Sequence, residues 1–539
     1  MSLGITNDVF IQGEADIGIF NDADIASPLG GMLHGSATVQ FASNNFTANA
    51  LFAQIDNRDG GVIDSNATIA FNLQGSFAIP GTNPGEPDFD FTVPGEADLL
   101  ISNEIRGVSQ DSATTGGTIG GNALIQLSAA SASTAGALDV EIDNFNNRGG
   151  GSTGGSIGEN AAINLSIANT LSSGGAAFFQ ILNESNVAGS PGGFIGGDAT
   201  INIDAANIST GVDSFGSSLD GLIYNATGNI GGDAIVNVDV TQAITAQGPA
   251  NFQILNNDGG HIGGDANILV TTGAGGDLTA NSILGFVNNH NAGAIDSGAN
   301  ITFAIGGALT TTGDATFGIS NLNDGNGGGT IGSLATVDLN AASISVGGFF
   351  QTFISTNGGG SIQGDAINTV IASGDLTAQQ GILLDIPDTI FGSTGNFTGG
   401  RIGGNAIVTL NAQNITTPST NSGIPGTDVM AIEASIYPNA SGTVGGDAIV
   451  NVSASQNISA PGSVLFWIAN GNYLDLGGGT IGGDATVNVS AASLSSGDLF
   501  VQILNYGGAS IGGDAAINVT ADTLSVGGSL DSTIDNSSG

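Results

Sequence analysis

The sequence contains no cysteine and no lysine, and its strongly basic side chains amount to four arginines. The missing cysteines exclude disulfide bonds and thiol nucleophiles. Nucleic acids and anionic membrane surfaces are bound through clustered lysine and arginine, whereas this chain sets four arginines against 47 acidic residues, for a net charge of −43. We therefore expect no nucleic-acid partner and no docking on anionic lipid.

Long hydrophobic runs are missing as well. No stretch of roughly eighteen apolar residues occurs, so no membrane-inserted helix is predicted. The first residues, MSLGITNDVF, have neither a basic start nor an apolar core, so they do not resemble a signal peptide. Two explanations stay open: the protein remains inside the cell, or an export signal lay upstream of this segment.

Glycine and apolar residues are abundant instead, with 91 glycines and 40% hydrophobic residues. A glycine-rich chain of high net charge is disordered when apolar residues are scarce. Here apolar residues are numerous enough to stabilise a core, provided that the sequence pattern lets them be buried together.

A motif of the form IGGDA recurs along the chain at intervals of 30 to 42 residues. Such self-similarity is typical of stacked repeat architectures. The clear copies begin at Ile119, Ile157, Ile195, Ile230, Ile262, Ile295, Ile331, Ile362, Ile402, Val444, Ile481 and Ile511. Weaker copies begin at Ile11, Leu33 and Ile63, for a total of about fifteen.

Each copy leads into alternating segments. After Ile481, every second residue from Ala485 to Ala491 is apolar, and a second such run extends from Leu499 to Ile503. A period of two is typical of a half-buried β-strand. Because a unit of two or three short strands cannot close a core by itself, it must stack on its neighbours. We predict an all-β fold, a parallel β-solenoid of about fifteen coils of roughly 30–40 residues, continuous over residues 1–539.

An asparagine recurs near the end of the second alternating run. The alternation places it in the interior, where stacked amides can hydrogen-bond from coil to coil and so satisfy polar groups that are costly to bury singly. The predicted structural ladder consists of Asn57, Asn103, Asn144, Asn183, Asn225, Asn256, Asn288, Asn321, Asn470, Asn505 and Asn536.

An aspartate or asparagine follows the glycine pair of the motif. Two interpretations stay open: these side chains cap the turns, or their carboxylates form a column that binds a divalent cation, with calcium the expected ion. Stacked like charges repel unless they are neutralised, which favours the cation, but the calcium-binding GGxGxD nonapeptide does not occur. The candidate metal ligands are Asp198, Asp233, Asp265, Asp447, Asp484 and Asp514.

Two intervals carry extra residues and predict loop insertions at residues 73–96 and 417–442. The first is acidic and rich in proline, and it could hold a cation or a sugar; the alternative for both insertions is a plain surface loop. The candidate binding residues of the first loop are Glu86, Asp88, Phe89, Asp90 and Phe91.

Strings such as GGTIGGDATVNVSAASLSSG resemble the β-helical passengers of bacterial filamentous haemagglutinin-type and autotransporter adhesins. The resemblance covers nearly the whole chain, although the repeat here is longer than the coil typical of the haemagglutinin class. It implies secretion and a role in adhesion or surface architecture, and it transfers no catalytic residue.

The predicted function is a non-enzymatic extracellular or cell-surface scaffold or adhesin that presents a repetitive acidic surface to glycans or to host and matrix surfaces. Two alternatives stay open: a carbohydrate-active β-helix enzyme, a hydrolase or lyase, and a surface-layer protein stabilised by calcium. The three histidines fall in different repeats, so no residue is assigned to catalysis. The chain stops where another motif would begin, which predicts an open β-edge and leaves two alternatives: a fragment of a longer protein, or end-to-end self-association.

Overall fold

A computed structural model describes residues 2–21, 31–81, 95–105, 115–146, 152–185, 190–322, 328–356, 358–387, 399–421, 430–438, 441–471 and 478–536. Within these ranges the secondary structure consists of strands and turns, with no helix, and therefore with no helix that could cross a membrane. The chain divides into two compact units, Met1–Gly276 and Asp277–Gly539. Each unit is a parallel β-solenoid, so the predicted fold class is confirmed. Continuity over residues 1–539 stays a prediction.

One coil consists of three kinds of strand. The short strand carries the isoleucine of the motif, the bent strand begins at its alanine, and the closing strand leads back towards the next motif. Strands of the same kind pair in parallel, as in the register from Ala199↔Ala234 to Ala205↔Val240. The register then shifts between Ala205 and Asn207, and an irregularity of this kind lets a strand turn a corner.

The first unit contains all three kinds of strand. Its short strands are Met32–Leu33, Val62–Ile63, Thr118–Ile119, Ser156–Ile157, Phe194–Ile195, Asn229–Ile230 and His261–Ile262. Its bent strands are Ala37–Ser43, Ala67–Leu73, Ala123–Ala129, Ala161–Ser173, Ala199–Thr210, Ala234–Ala246 and Ala266–Thr272, with separate second halves Ser76–Ile79 and Ser131–Thr134. Its closing strands are Val9–Asn21 and Phe46–Asn57, which include the second half of a bent strand, and Ala97–Ser102, Leu138–Asp143, Ala177–Leu182, Leu219–Ala226 and Ala250–Asn257; Ser2–Gly4 pairs with the first bent strand.

The second unit repeats the arrangement. Its short strands are Ala294–Ile295, Thr330–Ile331, Ser361–Ile362, Arg401–Ile402, Thr443–Val444, Thr480–Ile481 and Ser510–Ile511. Its bent strands are Ala299–Thr311, Ala335–Val346, Ala366–Ala372, Ala406–Thr416, Ala448–Ala460, Ala485–Ser496 and Ala515–Val526, with separate second halves Leu278–Ala280 and Leu376–Ala378. Its closing strands are Ile283–Asn289, Ala315–Ser320, Phe349–Ser355, Gly381–Pro387, Ile432–Tyr437, Val464–Asn470, Leu499–Asn505 and Leu530–Asp535.

The core is a narrow interior filled by alternate side chains of the bent and closing strands. Ala199, Ile201 and Ile203 are fully buried, whereas the residues between them are half-buried. Identical positions stack from coil to coil, so that the rings of Phe41 and Phe71 lie parallel with their centroids 5.1 Å apart. The alternation recognised in the sequence is therefore the division between core and surface.

One detail of the predicted organisation is wrong, and the bounds of two others include regular strands. The segment at Ile11 is not a copy of the motif, because it lies in the strand Val9–Asn21, which pairs with Phe46–Asn57 as a closing strand. The predicted insertions at residues 73–96 and 417–442 each contain a regular strand of a coil, Ser76–Ile79 and Ile432–Tyr437 respectively. Residues 82–94 and 422–429 lie outside the described residues, so the loop insertions themselves stay predictions. In both cases apolar residues alternate over too short a stretch for a strand to be recognised beside proline and glycine.

The last described coil of the second unit has an uncovered interior face. Val519, Leu524 and Ile534 are 40%, 48% and 48% exposed, whereas the matching residues one coil earlier, Val489, Leu494 and Ile503, are at most 2% exposed. End-to-end self-association through such a face stays a prediction.

In the first unit, packing inside the coil requires the glycine that lies two residues before the motif isoleucine. At Gly193 a β-carbon would lie against the backbone oxygen and amide nitrogen of Asn144 and the amide oxygen of Asn183. Gly155 has the same kind of neighbours one coil earlier, in Asn103 and Asn144. A side chain at this position would therefore push apart buried amides of two successive coils.

We expect Gly193→Ala to destabilise the first unit by about 2 kcal/mol or more, because a methyl group cannot be accommodated without moving backbone. Gly13→Ala is the matched control: this glycine also lies in a strand, and a β-carbon there would have no atom within 4 Å. The measurement is the denaturant midpoint of the two variants and the unaltered chain. Equal midpoints for Gly193→Ala and Gly13→Ala would contradict the packing argument.

Candidate functional site

A ladder of asparagines, called the asparagine ladder below, lies inside the first unit. Each amide nitrogen Nδ2 donates to the Oδ1 atom of the asparagine one coil further on, over 2.7 to 2.9 Å. The same nitrogen donates a second bond to a backbone oxygen, as Asn183 does to the oxygen of Asn229 over 3.1 Å. The members are Asn21, Asn57, Asn103, Asn144, Asn183, Asn225 and Asn256. Because these amides are hydrogen-bonded to one another from coil to coil, the ladder holds the structure together and is not a binding site.

In the second unit the ladder has one corrected member. Asn289 donates to Asn321 over 2.8 Å and is fully buried, whereas the predicted Asn288 lies on the outer side of the strand. Every second residue of this strand is buried, at Ile283, Gly285 and Val287, so the next interior position is 289 and the predicted position is wrong by one residue. A further run is confirmed at Asn470, Asn505 and Asn536, in which Asn470 donates to Asn505 over 2.8 Å and Asn505 donates to Asn536 over 2.5 Å.

Between Asn321 and Asn470, other described residues take the place of asparagine. The strand register puts Thr356 beside Asn321 and Pro438 beside Asn470. A void of about 10 Å³ lies there, bordered by both residues together with Ile386. It is large enough for about one water molecule.

The aspartates after the glycine pair form a column at the turns. In the first unit, Oδ1 of Asp198 accepts the backbone N–H of Asp233 over 2.9 Å, and Oδ1 of Asp233 accepts that of Asp265 over 2.7 Å. In the second unit, Oδ1 of Asp447 accepts the backbone N–H of Asp484 over 2.8 Å, and Oδ1 of Asp484 accepts that of Asp514 over 2.7 Å. These carboxylates therefore hold the turns of adjacent coils together, as the capping interpretation expects.

The column explains the second glycine of the motif. At Gly232 a β-carbon would collide with Oδ1 of Asp198, so only glycine leaves room for the carboxylate of the coil below. In the described part of the chain no three His, Cys, Asp or Glu side chains converge as metal ligands would. Calcium binding at Asp198, Asp233, Asp265, Asp447, Asp484 and Asp514 stays a prediction. The predicted binding residues Glu86, Asp88, Phe89, Asp90 and Phe91 lie outside the described residues.

A group of carboxyls, called the acidic face below, lies on the outer side of the closing strands of the first unit. The register sets Asp98 beside Asp139, and Asp139, Glu141 and Asp143 follow one another on the same side of one strand. The acidic face consists of Asp56, Asp98, Glu104, Asp139, Glu141 and Asp143. Arg58 lies among them, 7% exposed, with its Nε atom paired to Asp56 and 3.0 Å from Oε1 of Glu104.

One arginine cannot neutralise the charge of six carboxylates, and the pKa values of four of these carboxyls are raised. Burial, together with the charges of Asp139 and Glu96, raises the pKa of Asp98 to about 7. Burial and the charge of Glu96 raise the pKa of Asp139 to about 6. Burial also raises the pKa values of Glu141 and Asp143, which share a hydrogen bond. Glu141, whose pKa is raised to about 10, and in part Asp98 therefore carry protons near neutral pH, as like charges in a poorly solvated site favour.

A second group of buried carboxyls lies on the closing strands of the second unit. Asp385 and Glu433 are 8% and 4% exposed, and the strand register brings them to neighbouring strands. Ser435 donates to Oδ1 of Asp385 over 2.7 Å. Burial raises the pKa of Asp385 to about 7, and burial together with the charge of Asp385 raises the pKa of Glu433 well above its usual range. The pair therefore holds at least one proton at neutral pH.

An apolar cluster adjoins this pair on the outer side of the closing strands Ile432–Tyr437 and Val464–Asn470. It contains Tyr437 and Trp467, whose ring centroids lie 6.0 Å apart, together with Met430, Leu465 and Ala469. Carboxyls beside aromatic rings are the side chains that glycosidases use on sugars. Here, however, both carboxyls are enclosed, so a substrate would need an opening to reach them.

Two open grooves mark the surface of the first unit. One, of about 670 Å³, follows the corner of the bent strands and is bordered by Ser128, Ser166, Asp204 and Asp239. The other, of about 410 Å³, crosses the short strands and is called the glycine groove below; its borders include Ser156, Phe194, Asn229 and His261.

The sequence contained signals for some of these features. The run Asp139-Val-Glu-Ile-Asp143 alternates acidic and apolar residues, which places three carboxyls on one side of a strand. The pair Asp385 and Glu433 had no such signal, because 48 residues separate the two side chains and only the coil register brings them together.

No family model, no curated protein and no solved structure matches this chain.

We expect Asn183→Ala to destabilise the first unit by about 3 kcal/mol, since it removes three hydrogen bonds of a buried amide and leaves Asn144 with one partner fewer. Asn202→Ala is the matched control, because Asn202 donates to Asn164 over 3.0 Å on the half-buried outer side. Thermal unfolding of both variants gives the comparison. A similar loss of thermal stability in both variants would show that an asparagine of the interior ladder contributes no more to stability than one on the outer side.

The raised carboxyl pKa values predict that stability falls as pH rises. Asp98 and Asp385 move from 3.8 when unfolded to about 7 when folded, so the folded chain binds more protons between these values. Their stabilising effect is complete below pH 4 and is lost as pH rises through about 7. We expect the melting temperature to decrease over this range, and Asp98→Asn and Asp385→Asn to flatten the decrease.

Asp8→Asn is the control for this pH experiment. Hydrogen bonds from Asn45 and Asn44 lower the pKa of Asp8, so its contribution is lost on acidification and not as pH rises. The decrease between pH 4 and 7 should therefore persist in this variant. A melting temperature that rises over the same range in the unaltered chain would refute the assignment of buried protonated carboxyls.

Proposed function

We propose that this protein is a non-enzymatic scaffold or adhesin, located outside the cell or on its surface, that binds glycans through repeated weak contacts. One observation carries the proposal: within each unit, parallel strands in register bring the same outward position of successive coils into one column. In the first unit one such column runs through Ser156, Phe194, Asn229 and His261. Successive positions lie about 4.8 Å apart, so a long ligand meets several side chains at once.

The charge of the chain supports this proposal. A net charge of −43 repels nucleic acid, anionic membranes and acidic polysaccharides, and it keeps neighbouring copies apart in solution. Neutral glycans are exempt from this repulsion. The resemblance to bacterial adhesins with β-helical passengers favours the same role and a location at the cell surface.

A carbohydrate-active enzyme is the second candidate function, and Asp385 and Glu433 favour it. A glycosidase requires two carboxyls, one of which keeps its proton near neutral pH as a general acid. This pair has that protonation, with the rings of Tyr437 and Trp467 nearby. The enclosure of both carboxyls is the reason to rank this function second.

The two candidates are separated by incubating the purified chain with immobilised and soluble neutral oligosaccharides. We expect retention on the immobilised glycans and no new reducing ends. Asp385→Asn and Glu433→Gln should leave retention unchanged. New reducing ends that disappear in both variants would replace the scaffold by the enzyme, and neither retention nor cleavage would remove glycans as the ligand.

A further inference from the structure

The glycine groove lies on the outer side of the short strands of the first unit, across successive coils. Its floor is backbone, formed by glycines that include Gly155, Gly193 and Gly228. Ser156, Phe194 and Asn229 occupy the same position in three successive coils and border the groove. The result is an open groove of about 410 Å³ with side chains along its border and none on the glycine floor.

The floor is backbone because its glycines have their free side towards the interior of the coil. A β-carbon at Gly193 or Gly228 would point inward and collide with the asparagine ladder, so these residues present only backbone to the groove. The backbone is also held from coil to coil: the N–H of Phe194 donates to Gly155 over 2.9 Å, and that of Asn229 donates to Gly193 over 3.0 Å. A preformed groove of this kind loses little conformational entropy when a ligand binds.

Phe194 is exposed where the fold does not need an aromatic ring. Its side chain is 46% exposed, and the matching positions one coil before and one coil after carry Ser156 and Asn229. The solenoid therefore accepts small polar side chains in this column. A half-exposed ring bordering a groove offers an apolar surface of defined orientation to a ligand.

Polar groups flank this ring on both sides. The hydroxyl of Ser156 lies one coil before Phe194, and the amide of Asn229 lies one coil after it. Nδ2 of Asn229 is 3.2 Å from Nδ1 of His261, the next member of the column. An amide nitrogen donates only, so this contact orients both side chains at the border of the groove.

We propose that the glycine groove is a binding subsite for a neutral oligosaccharide, with one sugar ring stacked on Phe194. Sugars combine an apolar ring face, which packs on an aromatic side chain, with hydroxyls that hydrogen-bond to amide, hydroxyl and imidazole groups. No carboxylate and no arginine borders the groove among the described residues, and the chain has a net charge of −43, so the ligand carries no acidic groups. This inference rests on the proposed function and names the site and the ligand class.

The test is isothermal titration calorimetry of the whole chain with cellohexaose, xylohexaose and mannohexaose as probes. We expect at least one probe to bind, and Phe194→Ser to weaken that binding by about tenfold or more. Phe194→Ser reproduces the residue at Ser156, so melting temperature should not change. Phe215→Ser removes a phenylalanine that is 93% exposed at a turn outside the groove, and it should bind like the unaltered chain.

The outcomes separate this inference from the proposed function. Equal binding by Phe194→Ser and Phe215→Ser would refute the glycine groove and leave a glycan-binding scaffold in place. No heat with any probe, together with no retention on immobilised neutral glycans, would overturn both. Loss of binding in Phe194→Ser that is restored in Phe194→Tyr would support stacking on the ring.

Discussion

Hydrogen bonding between successive coils is the constraint on which the rest of this structure depends. Parallel register places identical positions above one another, so a polar group inside one coil must find its partner in the next. The asparagine ladder meets this requirement in the interior and the aspartate column meets it at the turns. Both need space, which Gly193 and Gly232 provide. The recurring motif is therefore a set of residues that satisfy one another across coils.

The same register concentrates charge. A highly acidic chain usually spreads its carboxylates over solvent, but stacking brings Asp98 beside Asp139 and Asp385 close to Glu433 on the neighbouring strand. Where such groups are also buried, the neutral acid is more stable than the anion, and the pKa rises. The acidic composition thus has two physical meanings here: solvated charge over most of the surface, and protonated, pH-sensitive carboxyls at a few enclosed points.

A binding site can arise where the coil does not dictate the side chain. The interior positions accept little besides Ile, Val, Leu, Ala, Phe and Asn, whereas the outward column of the short strands carries residues as different as Ser156, Phe194 and His261. Freedom of this kind lets a repetitive fold acquire a local binding site without loss of stability. Phe194 combines that freedom with a neighbouring floor of backbone, at glycines whose inner side packs against the asparagine ladder.

The sequence by itself determined the parallel β-solenoid, because the period of two and the recurring motif are local patterns that depend on no distant residue. It also determined most of the asparagine ladder; Asn288 was displaced by one position from Asn289, and the strands Ser76–Ile79 and Ile432–Tyr437 were hidden beside proline and glycine. The tertiary structure alone decided which side chains meet across coils. Three features depend on the register between strands about 30 to 50 residues apart in sequence: the acidic face, the pair of Asp385 and Glu433, and the glycine groove. Because the coils differ in length, the spacing of the motif does not reveal this register.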